Sequence, residues 1–160
     1  MRHCYAAGWK VAALALATVM AGALVACGFG PGREGGAKPD EERVEEALEF
    51  GRIVLPSSAV ILGIEIEDGM DTLYRLAIRV EPGGVDRMLS DSRFTADLEP
   101  GRLDSMPTVA GVELGDVDRI ASAQDTIRSG GGAGLWAHRE VLVDRTDPEA
   151  PVVHLWLFTT

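Results

Sequence analysis

VILGIEIEDGMDTLYRLAIRV (residues 60–80) alternates aliphatic and polar side chains on both sides of an Asp68-Gly69-Met70 centre. Strand side chains point to opposite faces in turn, so this period of two makes two β-strands, and the glycine-centred break makes them a hairpin. If Glu67 faces Asp71 across a three-residue loop, then Ile64 faces Tyr74, Leu62 faces Leu76 and Val60 faces Ile78. Every apolar residue of that face then meets an apolar partner. A register slipped by one sets Leu62 against Arg75, so the aliphatic pattern selects the three-residue loop. The other face collects Glu65, Arg75 and Arg79, which suit cross-strand pairing in water.

Upstream, DEERVEEALEFG (40–51) reads as a short helix, capped by Asp40, with Glu41 and Glu42 at its positive N-terminus and Gly51 closing it. Its apolar stripe is only Val44, Ala47 and Leu48, which predicts weak packing or fraying; its acid run could form a partner surface, but a solvated face is the stronger reading. Downstream, EPGGVDRMLSDSRF (81–94) starts at Pro82 and sets Val85, Met88 and Leu89 on one side, a second short helix over the aliphatic face of the hairpin. Residues 95–115, punctuated by Pro100, Gly101, Pro107 and Gly111, read mostly as loop. DVDRIASAQDTIRS (116–129) places Val117, Ile120, Ala121, Gln124 and Ile127 at helical spacing ahead of Gly130, so a third helix is expected there.

A second hairpin follows, from WAHREVLVD (136–144) through a turn in RTDPEA (145–150) to PVVHLWLFT (151–159). With a turn of odd length, Val141 and Val143 match Val153, Leu155 and Leu157 as one unbroken aliphatic face. The opposite face then displays His138, Glu140, Leu142, His154, Trp156 and Phe158. Aromatic groups are enriched at binding hot spots, which makes His138, His154, Trp156 and Phe158 a candidate binding face. The competing reading is that the helix near Ile120, or the one near Leu48, covers this face as core. The expected fold class is α+β, an antiparallel sheet from two β-hairpins with short helices between them packed on one face.

Familiar catalytic signatures do not fit. Gly132-x-Gly134-x-x-Ala137 matches a loose dinucleotide fingerprint, but that motif needs a helix after it and here a strand follows, so the glycines read as a flexible turn. No serine sits in a nucleophile elbow. Glu65, Glu67, Asp68 and Asp71 cluster at the first hairpin turn without the alternating oxygen ligands and closing glutamate of a calcium loop. His138 and His154 lack a nearby third ligand, so neither a metal nor another cofactor is expected.

The N-terminus settles the expected compartment. Residues 1–10 carry Arg2 and Lys10 and no acid, Val11 to Leu24 holds no charge, and Leu24-Val25-Ala26-Cys27 follows. Basic start, short apolar run and small residues before a cut make a secretory signal. The apolar run is short for a membrane span, which needs roughly 20 residues, because Gly28, Gly30, Pro31 and Gly32 interrupt it. The cut region resembles the lipobox of bacterial lipoproteins. That resemblance implies a signal peptide over 1–26, diacylglyceryl attachment to the Cys27 thiol and cleavage in front of it. Residues 27–39, rich in Gly and Pro, read as a flexible tether, and 40–160 as a single α+β domain.

Removing 1–26 from the 160 residues leaves 134, enough for one domain, and a hydrophobic content of 46% supports a folded core. Cys4 goes with the leader, so the mature chain has no internal disulfide. Its charge is 13 Lys+Arg against 25 Asp+Glu, a net of −12, which argues against nucleic acid and against a basic grip on anionic lipid. Attachment to the membrane then depends on the acyl chains at Cys27.

LPSSA (55–59), REVLVD (139–144) and VHLWLFTT (153–160) are similar to segments of small actinobacterial lipoproteins, a group of unassigned activity. The resemblance covers the signal and part of the mature chain, and implies a compartment but no catalytic residue. The expectation is therefore a lipid-anchored, monomeric envelope protein on the outer side of the cytoplasmic membrane. It would serve as a non-enzymatic binding module for an envelope protein or small ligand. The alternative is an enzyme, or an enzyme accessory, acting on cell-wall or exported polymers.

Overall fold

The computed structural model describes residues 41–102, 107–130 and 134–159; the leader, Cys27, the tether and Asp40 lie outside them. The described segments belong to one compact unit. Their order is α1 (Glu41–Gly51), β1 (Val60–Glu67), β2 (Leu73–Arg79), α2 (Gly84–Asp91), β3 (Glu99–Pro100), a 3-10 turn (Val117–Arg119), β4 (Ile120–Arg128), β5 (Trp136–Asp144) and β6 (Val152–Thr159). The strands form one antiparallel sheet in the order β1-β2-β6-β5-β4-β3. The fold is α+β, with the sheet as its body.

The first hairpin keeps its faces but not its register. Ile64 pairs with Leu76, Ile66 with Tyr74 and Glu67 with Leu73, which lengthens the loop to five residues, Asp68 to Thr72. The slip is two residues, so each side chain stays on its face and the aliphatic pattern cannot tell the two registers apart. Charge does. The observed register sets Glu65 opposite Arg75, whose guanidinium binds Glu65 at 3.1 Å and also Glu67. A bulge between Ile61 and Gly63 then turns Ile61 towards Ile78 and leaves Val60 exposed. The second hairpin has the expected odd turn, and Val141 pairs with Leu155 and Val143 with Val153.

The expected third helix is a strand. After the 3-10 turn, β4 pairs along its length with β5, from Ile120 opposite Asp144 to Arg128 opposite Trp136. Alanine-rich spacing favours a helix only weakly, and the unpaired edge of β5 outweighs it. The strand divides the supposed helical stripe, sending Ile120 and Gln124 to one face of the sheet and Ala121 and Ile127 to the other.

Both helices pack on the face that carries Tyr74, Leu76, Ile78, Val141, Val143, Val153, Leu155 and Leu157. Helix α1 does not fray: Val44, Ala47 and Gly51 are buried, and a Cβ at Gly51 would stand 2.8 Å from the Leu157 methyls. Each helix ends in the same way. Ile53 N–H donates to Leu48 O and Arg52 N–H to Glu49 O; Phe94 N–H donates to Leu89 O and Arg93 N–H to Ser90 O. These are two Schellman motifs, with Arg52 (φ 50°) and Arg93 (φ 53°) in the left-handed position that glycine usually fills. Gly51 is thus the last helical residue of α1, and Arg52 makes the turn.

The two helix ends converge on one side chain. Arg139, on β5 and fully buried, donates from Nε and Nη2 to both carboxylate oxygens of Asp125 at 2.7 and 2.6 Å. Its remaining N–H groups reach Gly51 O, Ser92 O and Arg93 O, and the Phe94 ring lies 4.1 Å from the guanidinium carbon. Those carbonyls sit at the negative ends of the helices, so one cation serves both dipoles. Burial alone would raise the Asp125 carboxyl, but Arg139 and the Thr95 amide and hydroxyl hold it below the usual carboxylate value.

Candidate functional site

The opposite face of the sheet gathers the candidate binding residues. His138 pairs with Phe158, Glu140 with Trp156 and Leu142 with His154, so His138, His154, Trp156 and Phe158 share one face. Two of the four are buried, Trp156 at 4% exposure and His154 at 1%. Their cover is neither helix but the loop from Pro107 to Asp116. Its Pro107 O accepts from Trp156 Nε1 at 3.0 Å, Ala110 N–H donates to Glu65 at 2.8 Å, and Gly115 N–H donates to Asp144 at 2.7 Å. Leu114 packs on Ile120, Leu142 and Trp156. The crossing depends on Gly63, where a Cβ would meet Val109 Cγ1 at 2.7 Å.

Beneath this loop the polar accounting is incomplete. Among the described residues neither His154 ring nitrogen has a hydrogen-bond partner, and Arg75 Nε is likewise buried and unpaired. Burial lowers the His154 pKa below its usual 6.5; Asp144 pulls it up and Arg102 pushes it down. Burial would raise Asp144, yet the Thr146 hydroxyl and the amides of Gly115 and Thr146 hold its carboxyl low. His154 is therefore a neutral, packed imidazole stacked near Trp156, with ring centroids 6.2 Å apart.

His138 remains half-open. Thr126 Oγ1 lies 3.3 Å from His138 Nδ1, and His138 Nε2 lies 3.5 Å from Glu140 Oε1, with the Phe158 ring 4.8 Å away. The hydroxyl, imidazole and carboxylate stand in the order of a hydrolase triad. The spacing is looser than an activated nucleophile needs, and the hydroxyl is secondary on a flat strand. The acids of the first turn are also engaged, Glu65 and Glu67 by Arg75 and Asp71 by the Thr159 hydroxyl.

An open concavity lies elsewhere, along α1. A groove of about 830 Å³ runs between the helix and β1. Val44, Leu48, Ile53, Val54 and Ile61 supply apolar surface, and Glu41, Glu45, Glu49 and Arg52 line it with charge. Gly130 joins its wall because the β4–β5 connection presses on the helix, where a Cβ would stand 2.2 Å from Glu49 O. Sequence reasoning weighed a partner surface on the α1 acids, preferred a solvated face, and so passed over the groove. The signal was RIVL (52–55), an apolar run outside any strand pattern.

Among the described residues no group of His, Cys, Asp and Glu is arranged to hold a metal ion, and no helix is long and apolar enough to cross a membrane. No protein-family model, curated protein or solved structure matches the chain.

Proposed function

We propose that this chain is a lipid-anchored envelope protein, held through Cys27, whose domain is a non-enzymatic binding module. The leader and the Leu24-Val25-Ala26-Cys27 sequence support the anchor. The binding reading rests on one observation, the open groove beside α1, whose volume lies in the range of ligand sites and whose walls are mainly apolar. Val54 in its wall is 48% exposed, apolar surface left in water beside a well-packed core. The enzyme alternative would draw on Thr126, His138 and Glu140, whose spacing makes it the weaker reading.

Two measurements test the proposal. Clickable palmitate should label the wild-type chain and leave Cys27→Ser unlabelled and uncleaved; equal labelling of both would refute the anchor. A photo-crosslinking phenylalanine at Leu48, in living cells, should give a discrete adduct that the same residue at exposed Val117 does not. Identical adduct patterns from the two positions would remove the groove as the binding surface.

A further inference from the structure

The groove carries a chemical signature beyond its apolar walls. Glu41, Glu45 and Glu49 recur every fourth residue of α1, so their Cβ atoms stand in a row about 5–6 Å apart on one flank of the helix. Val44 and Leu48 lie beside that row, and Ile53, Val54 and Ile61 face them. The row has no ion pair within 4 Å among the described residues, whereas Glu46, on the other flank, accepts from the Tyr74 hydroxyl at 2.9 Å. Like charges four residues apart weaken a helix, and open apolar surface beside them loses the benefit of burial. One ligand relieves both.

We infer that the groove receives a basic amphipathic segment of a partner polypeptide, its apolar side chains between α1 and Ile53–Val54 and its Lys or Arg groups over Glu41, Glu45 and Glu49. Eight residues of helical rise separate the first and last acid, about 12 Å. That length matches basic residues every fourth position of a helix or every second position of a strand, a spacing that a polypeptide supplies naturally. Arg52, at the end of the groove, sets direction by repelling a cation placed beyond Glu49. This inference rests on the groove being the binding surface, which the crosslinking comparison tests separately.

The experiment uses the full chain in nanodiscs of zwitterionic lipid and a fluorescent amphipathic leucine–lysine peptide, read by anisotropy. Its counterpart carries glutamate for lysine. The lysine peptide should bind at least about tenfold more tightly than the glutamate one, and weaken as salt is raised. The triple change Glu41→Gln, Glu45→Gln, Glu49→Gln should lower its affinity about tenfold, and Leu48→Gln should lower it too, with circular dichroism confirming that both variants fold. Exposed Glu99, Glu113 and Glu149, changed to Gln together, remove the same net charge elsewhere and should alter affinity by less than about twofold. Equal losses in the two triple variants would overturn the inference in favour of general electrostatic attraction. Equal binding of the two peptides would overturn it in favour of a purely apolar ligand. A signal from empty nanodiscs matching that from loaded ones would assign the peptide to the lipid surface and overturn it as well.

Discussion

On the helix-covered face of the sheet, Arg139 is fully buried and each of its five N–H groups finds an acceptor. On the loop-covered face His154 is as deeply buried, and among the described residues neither ring nitrogen finds one. The contrast separates two ways of closing a sheet. A charge joined to β4 and to the ends of both helices locks three segments, because removing any of them strands the others. A loop lying over a buried imidazole holds best while that imidazole stays neutral.

The largest effect expected from this contrast is on the locked face. Arg139→Ala leaves Asp125 charged and buried and orphans three carbonyls, and should cost about 3–5 kcal/mol in urea unfolding. Replacing the pair together, Arg139→Met with Asp125→Leu, should cost less, since no lone charge remains and only the three carbonyls go unpaired. A cost below about 1 kcal/mol for Arg139→Ala would break the comparison. On the other face Trp156→Ala should cost about 3 kcal/mol, the low end for a buried aromatic because the loop can settle into the gap. Trp156→Phe, which gives up the bond to Pro107 O and part of the ring volume but keeps an aromatic plug, should cost about 1–2 kcal/mol.

Acid should distinguish the faces by pH. The folded state holds His154 below its usual 6.5, so below that pH the unfolded chain takes up a proton that the native one refuses, and stability drops as the solution is acidified. Asp125 and Asp144 are held below 3.8, so their contribution is complete above that value and is lost only at lower pH. His154→Leu should flatten the stability profile between neutral pH and about pH 5 while leaving the steeper loss below pH 4. An unchanged slope would show that His154 does not govern the loop. The smallest effect is a gain. Arg93→Gly puts glycine at a left-handed helix end and should stabilise by about 0.5–1 kcal/mol, provided the Arg93 side chain contributes little.

Much of the sheet was legible because period-two patterns are local. The first hairpin betrayed its faces but not its register, since a slip of two leaves every face intact and only the Glu65–Arg75 pair decides. Strand β4 was illegible because Ala121, Ala123 and Gln124 read equally well as helix, and its reason for extending is β5, a neighbour the hydrophobic period does not name. Arg139 resembled any surface cation in AHREV until residues 51, 92, 93 and 125 met around it. The shared face of His138, His154, Trp156 and Phe158 was readable; the loop that buries half of it was not, because proline- and glycine-rich chain carries no period.

The order of the strands also sets a timetable. β6, last of the strands in the chain, lies between β2 and β5, so β1-β2 and β5-β4-β3 remain separate ribbons until Val152–Thr159 has been synthesised. Before then no nascent chain can close the core, because Val153, Leu155 and Leu157 are missing from its middle. Such late, long-range closure slows folding. A polypeptide that must be threaded across a membrane unfolded would thereby gain time in an open form, and one cut short before Val152 would offer proteases two unjoined halves.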